Sequence, residues 1–233
     1  MKILLAGDAL RTTEMRLKYR EEDEVVTTER INEIQHTIEF LNSFDLICDL
    51  NFDDSTENDA LYFQLEKKPV MVGAVKKSLG EIFLSNKNNV RCHLIGVNTL
   101  PTFISRGFFE VCFNTVESKT TFDSLAKEFS WKYKEVKDFV GMVSPRILFM
   151  VINEACYSLE EKTAAANDID QAMKLGTAYP FGPLEWCDKI GVKDVYETLL
   201  AIYNKTCDER YKISSLLKTK YQLREKFISA SSI

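Results

Sequence analysis

The sequence predicts an α/β domain over residues 1–138 followed by an all-α domain over residues 139–233. Three observations carry this reading. Short apolar runs recur through the first part: MKILLAG at the start, KPVMVGAV at 68–75 and VRCHLIGV at 90–97. Runs of that length bounded by turn residues read as buried strands. From Phe139 onward the apolar residues instead recur at helical spacing, as in Ile147, Leu148, Val151, Ile152, Ala155, Cys156 and Leu159. Proline and glycines then fall where helices start and stop, with Pro145 at a start and Gly176 and Gly191 at ends.

Taken in order, Met1 to Gly7 reads as a strand feeding a turn, the opening of a dinucleotide-binding βαβ unit. A G-x-G-x-x-G fingerprint would put glycines at Gly7, Ala9 and Thr12, and only the first is glycine. A Cβ at Ala9 intrudes where the backbone should approach a pyrophosphate. The following segment, Leu10 to Glu22, is highly charged and a poor amphipathic helix. The phosphate cradle is degraded, and a strand and turn with no nucleotide remains an open alternative.

Glu24 to Glu29 reads as the second strand. Glu29 falls where an acidic residue holds the ribose hydroxyls of a dinucleotide. Alternatively it favours the N-terminus of a helix capped by Thr27 or Thr28, with Ile31, Ile34, Ile38 and Leu41 as its apolar stripe. Further strands are expected at Phe44–Asp53, Lys68–Val75, Val90–Val97 and Phe108–Asn114. A helix over Thr121–Phe129, with Asp123 near its N-terminus, precedes a last strand at Lys132–Asp138.

In the second part, Ser144 is the expected N-cap of a long helix and Pro145 suits its first position. Asn153 and Glu154 interrupt its apolar run, so it is a core helix rather than a membrane span. A second helix is expected to start from Asn167 as cap and to stop at Gly176. The segment from Pro180 to Asp188 turns into a third helix ended by Gly191. Val195, Leu199, Ile202 and Tyr203 mark a fourth helix, and Leu216, Leu217 and Leu223 a fifth. The closing SASSI is expected to fray.

Composition narrows the function classes. A net charge of -5 leaves no basic footprint for nucleic acid. The six cysteines (Cys48, Cys92, Cys112, Cys156, Cys187 and Cys207) form no CxxC pair and read as reduced, buried thiols of a cytoplasmic protein. His36 and His93 are far apart in sequence, so no metal site is expected.

The helical part resembles the C-terminal domain of the 3-hydroxyacyl-CoA dehydrogenase family. The resemblance rests on Arg146 with Leu148, on Asn153-Glu154-Ala155, and on Asp168-Ile169-Asp170 with Ala172, Met173 and Gly176. It continues through Pro180, Gly182, Pro183, Glu185, Asp188 and Gly191, in the family's order and spacing. The family's closing G-K-x-G-x-G-F-Y segment is missing. The resemblance implies an N-terminal Rossmann-like domain, an NAD cofactor, an acyl-CoA ligand and a homodimer built on the helical domain. A bundle of under a hundred residues, rich in large apolar side chains, gives an independent reason for such a dimer. Family enzymes oxidise the hydroxyl of a 3-hydroxyacyl-CoA, as in 3-hydroxybutyryl-CoA, with a histidine as general base and a glutamate that orients it.

Carried onto this chain, the family's site residues are mostly replaced. Asn98 follows Ile95-Gly96-Val97 at the position of the basic histidine, and Glu110 matches the orienting glutamate. Asn88 stands at the position of a substrate-binding serine and Pro145 at that of an asparagine. The cofactor positions implied by the family are Gly7, Ala9, Thr12, Glu29, Leu50 and Asp53, with Leu50 replacing a small residue beside the nicotinamide ribose. His93 has the opposite strand parity to Asn98, so it is not expected to replace the lost base. Two functions compete: an NAD-dependent 3-hydroxyacyl-CoA dehydrogenase with altered chemistry, and a catalytically inactive homologue that binds a CoA thioester or nucleotide or acts as a scaffold.

Overall fold

The structure, a computed structural model, describes all residues except 32–36, 56–59, 87–88 and 229–233. It divides into two compact units, Met1–Met142 and Val143–Ile233. The sequence pattern places the boundary slightly earlier, after residue 138.

The first unit is built on β1 (Lys2–Ala6), β2 (Glu24–Thr28), β3 (Leu46–Asp49), β4 (Pro69–Gly73), β5 (His93–Val97), β6 (Phe109–Phe113) and β7 (Tyr133–Glu135). They form one sheet in the order β2-β1-β3-β4-β5-β6-β7. All pairings are parallel except β5 with β6. The order reverses between β1 and β3, and such a switch point opens a crevice at the carboxyl ends of the strands. Gly7 and Leu50 lie there because each directly follows its strand. The strands are shorter than expected, since their flanking residues turn away from the ladder.

The helices of this unit are α1 (Ala9–Arg16), α2 (Ile38–Asn42), α3 (Leu79–Ser85) and α4 (Val116–Glu128). The charged segment after Gly7 thus does form a helix, but one of 8 residues that buries Arg11, Thr12 and Met15. Neither Thr27 nor Thr28 is a helix cap: both are in β2, and the described helix is capped by Thr37. Ile34 of the expected stripe lies outside the described residues, as does His36. Helix α4 begins earlier than expected because Thr115 accepts from the Ser118 N–H at 3.1 Å. Asp123 is therefore mid-helix, and it accepts a hydrogen bond from the Tyr133 hydroxyl.

The core brings together Ile3, Leu5, Cys48, Met71, Ile95, Val111 and Phe122. Burying an aromatic or aliphatic side chain of this size is worth about 1.5–3 kcal/mol. At one edge Trp131 stacks on Phe129 at 4.7 Å and donates its indole N–H to the Lys18 carbonyl at 2.9 Å. That bond satisfies the polar end of a largely apolar ring.

The second unit consists of α5 (Ser144–Glu160), α6 (Ala166–Thr177), α7 (Pro183–Ile190), α8 (Val192–Thr206) and α9 (Ser215–Leu223). Ser144 is the first residue of α5 rather than its cap, which is Val143. Helix α6 likewise starts one residue before Asn167, with Ala165 at the cap, and runs through Gly176 to Thr177. It ends on Ala178 in the left-handed conformation at φ 55°, so Gly176 is not the terminator. Gly191 does end α7, at φ 107°.

The polar residues of the family motifs tie these helices together. Asn153 on α5 accepts from the Ser214 N–H at 2.9 Å and donates to the Lys212 carbonyl at 2.8 Å, fixing the entry to α9. Asp170 on α6 accepts from the Leu184 and Glu185 N–H groups, both at 2.8 Å, and so caps α7 from a distance. This requires Gly182: a Cβ there would lie 2.2 Å from the Asp170 Cβ. Asp188 accepts from the Phe227 and Ile228 N–H groups, anchoring the chain up to the last described residue. The SASSI terminus, apart from its preceding anchor, lies in the undescribed 229–233.

Five cysteines are buried, and burial raises the Cys48, Cys92 and Cys156 thiols to about 12. Cys207 departs from the expected pattern: it is exposed at the end of α8. Among the described residues no helix is long and apolar enough to cross a membrane.

Candidate functional site

The antiparallel pairing of β5 with β6 sets Gly96 against Cys112 and Val97 against Val111. The next pair outward is Asn98 with Glu110, and the Asn98 N–H donates to the Glu110 carbonyl at 3.0 Å. Their side chains meet as well. Asn98 Nδ2 donates to Glu110 Oε2 at 3.2 Å, while Asn98 Oδ1 accepts from the Leu100 N–H at 3.3 Å. Both side chains are buried. The amide orientation follows from its partners, since only the NH2 group can face a carboxylate acceptor. The two buried side chains thus form an amide–carboxylate pair across the β5/β6 ladder. A carboxamide takes up no proton at neutral pH.

His93 begins β5, at the opposite end of that strand from Asn98, and its Nδ1 lies 2.6 Å from Thr121 Oγ1 of α4. It is engaged away from the Asn98–Glu110 pair. Asn88 falls outside the described residues. Pro145 is buried in the first turn of α5 in the second unit, with no side-chain donor or acceptor.

Of the residues expected at a cofactor, Gly7 and Leu50 meet at the β1/β3 switch point. A Cβ on Gly7 would lie 2.7 Å from Asn51 Oδ1 and 3.1 Å from the Leu50 Cβ, so glycine is required there by the close approach of the β3 end. Leu50 is buried against it. Ala9 opens α1 and is exposed, while Thr12 is buried and returns its hydroxyl to the Asp8 carbonyl at 2.8 Å. Glu29 is exposed directly after Thr28, which pairs with Ala6 at the end of β1. Asp53 is buried, and its Oδ2 accepts from the Val75 and Lys76 N–H groups at 2.6 and 2.8 Å. Burial raises its carboxyl, against the pull of Lys76. Its carboxylate therefore holds the turn after β4.

Sequence reasoning missed the polar network that fills this switch point. Asp8 caps α1, accepting from the Leu10 and Arg11 N–H groups, both at 3.0 Å. Asn51 Nδ2 donates to its other oxygen at 3.0 Å, and the Arg11 guanidinium pairs with the same oxygen. Burial works against the Asp8 charge, but the Arg11 N–H and guanidinium hold its carboxyl below the usual range. Arg11 also donates to the Thr99 carbonyl at 3.1 Å and lies 3.6 Å from Asp54, which in turn pairs with Lys76. Only the cap was foreseeable: an aspartate just before a helix is a start signal.

Comparison with known proteins follows the same division. Residues 141–226 match the family model described as the 3-hydroxyacyl-CoA dehydrogenase C-terminal domain. The 3-hydroxybutyryl-CoA dehydrogenase of Clostridioides difficile is 28% identical over 185 residues, covering 77% of this chain and 66% of that protein. Residues 141–226 thus carry the C-terminal domain of the 3-hydroxyacyl-CoA dehydrogenase family, and the longer match shows that the similarity to such enzymes extends into the first unit. The 3-hydroxyadipyl-CoA dehydrogenase of Escherichia coli is 36% identical over 95 residues, which cover 41% of this chain and 20% of that protein. The matches to these two relatives thus span from a fifth to about two thirds of their length. The crystal structure of (S)-3-hydroxybutyryl-CoA dehydrogenase from Ralstonia eutropha superposes with a TM-score of 0.69 over 96% of this chain and 94% of that one, at 18% identity. That likeness establishes a shared fold: a Rossmann-like α/β domain followed by a helical domain.

Proposed function

We propose that this chain keeps the 3-hydroxyacyl-CoA dehydrogenase scaffold but not the NAD-dependent oxidation of a 3-hydroxyacyl-CoA, and that it works as an acyl-CoA-binding or scaffolding protein. The observation that carries the reading is the hydrogen bond from Asn98 to Glu110. Oxidation of a secondary alcohol requires a group that takes the hydroxyl proton as hydride leaves. The residue opposite Glu110 has no such capacity. Losing a general base costs about 10²–10⁴-fold in rate. Pro145 at the position of a family asparagine removes a second polar partner for the substrate oxygen.

The dehydrogenase activity itself is the second reading, favoured by the names of the relatives. The deciding experiment is steady-state reduction of acetoacetyl-CoA followed by NADH absorbance. We expect no turnover above the protein-free rate in the wild type. The triple variant Asn98→His, Asn88→Ser and Pro145→Asn is expected to recover only a small part of family activity. Wild-type turnover at family rates would overturn the proposal.

A homodimer through the helical unit belongs to the same proposal. It is supported by large apolar side chains left at the surface, Ile147 at 59% and Leu175 at 79% exposure, and by α6 burying only Asp170. Symmetric pairing is the commonest way to cover such faces. The buried thiols favour a reducing, cytoplasmic setting.

A further inference from the structure

The family and the fold imply NAD, and the residues at the switch point do not fit its pyrophosphate. A dinucleotide-binding unit offers the free N–H groups of its first helix to the phosphates, at the end of β1. Here the Leu10 and Arg11 N–H groups already donate to Asp8 Oδ1. Asn51 and the Arg11 guanidinium take the other oxygen. Four donors on one carboxylate use about all the lone-pair positions it has. The Asp8 N–H is bound as well, to Asn51 Oδ1 at 2.9 Å.

We propose that Asp8 is a built-in anion standing where the cofactor pyrophosphate would lie, so that this unit folds and persists without a dinucleotide. Charge supports the assignment. Arg11, Lys76 and Lys77 face four carboxylates, Asp8, Asp49, Asp53 and Asp54, a formal excess of one negative charge. A diphosphate arriving here meets that excess and must also displace a carboxylate already bonded on both oxygens. The first N–H groups of α1 have no partner within the helix. Asp8 satisfies those of Leu10 and Arg11 from within the chain and leaves Arg11 paired. The inference deepens the proposed loss of hydride transfer, which rests on Asn98, but uses different residues, so each can fail alone.

The test is thermal melting of the full chain, as wild type, Asp8→Ala and Asp8→Asn, each with and without millimolar inorganic pyrophosphate or NADH. Wild type is expected to melt at the same temperature in all three conditions. Asp8→Ala is expected to melt roughly 3–6 °C lower without anion, the effect of losing a helix cap. Pyrophosphate should then restore most of that shift. Asp8→Asn keeps a cap of equal quality but loses the charge, so it should melt close to wild type and be raised by pyrophosphate. It decides the matter if Asp8→Ala does not fold. An upward shift of the wild type with NADH or pyrophosphate would overturn the proposal and leave the Asn98 argument standing. Failure of pyrophosphate to move Asp8→Asn would overturn it as well. NADH consumption with acetoacetyl-CoA by the wild type would instead sink both.

Discussion

Replacing Asp49 with asparagine should stabilise the protein at pH 8, do so less at pH 5, and leave it nearly unchanged only below the unfolded pKa of 3.8. Asp49 ends β3, where burial raises its carboxyl to about 7, against a hydrogen bond from the Tyr62 hydroxyl at 3.1 Å. Asp53 and Asp54 push in the same direction as burial. The folded pKa is thus above the unfolded one. Between 3.8, the ordinary aspartate value, and about 7 the native state binds a proton that the unfolded state has released. Stability therefore falls as pH rises through that window, by at most ~1.4 kcal/mol per pH unit, and levels off above it. A shift of this size corresponds to about 2–4 kcal/mol once partial solvation is allowed for. Asparagine removes the titration and can keep the Tyr62 partner. Urea unfolding of both proteins at intervals from pH 5 to pH 8 isolates the term, because every other group titrates in both. The expected result is a stability difference that grows with pH in favour of Asp49→Asn. Two curves that run parallel over this range would refute the reasoning.

Gly182→Ala should cost roughly 2–4 kcal/mol, as the new Cβ strikes Asp170 and releases the cap of α7; chemical denaturation of the purified variant measures it. Thr198→Val should stabilise by about 1 kcal/mol, because the Thr198 hydroxyl is fully buried on α8 without a hydrogen-bond partner; an unchanged or lower unfolding midpoint would show that the hydroxyl finds a partner. The proposed homodimer predicts a light-scattering mass near twice 26.8 kDa across a dilution series, against a constant 26.8 kDa for a monomer.

Much of the fold could be read from local pattern, and its limits follow from what local pattern contains. The strands at Lys2–Ala6, Pro69–Gly73 and His93–Val97 announce themselves because a buried parallel strand is apolar throughout. The helices of the second unit announce themselves by period, but their exact ends did not. Ser144 and Asn167 are good caps by type, yet Val143 and Ala165 hold those positions. For α7 the work of capping comes from Asp170, 14 residues away. The same limit applies at the candidate site. Asn98 and Glu110 could be paired through the family's spacing, and the β5/β6 ladder shows why they meet. The Asp8, Arg11 and Asn51 network gave no such signal, because Asp8 and Asn51 are 43 residues apart and share no periodicity. The missing glycines at Ala9 and Thr12 suggested only a weakened cradle. What fills it is visible in three dimensions.

The central claim, that the scaffold persists without hydride transfer, is tested most directly by following the hydride itself. NADH carrying deuterium at the transferring position would be incubated with acetoacetyl-CoA and a stoichiometric amount of the protein, and the thioester analysed by mass spectrometry. The account predicts no deuterated 3-hydroxybutyryl-CoA beyond the protein-free control, even after long incubation. Deuterium in the product within one turnover's worth of protein would contradict it, and would show that some group other than Asn98 supplies and removes the proton.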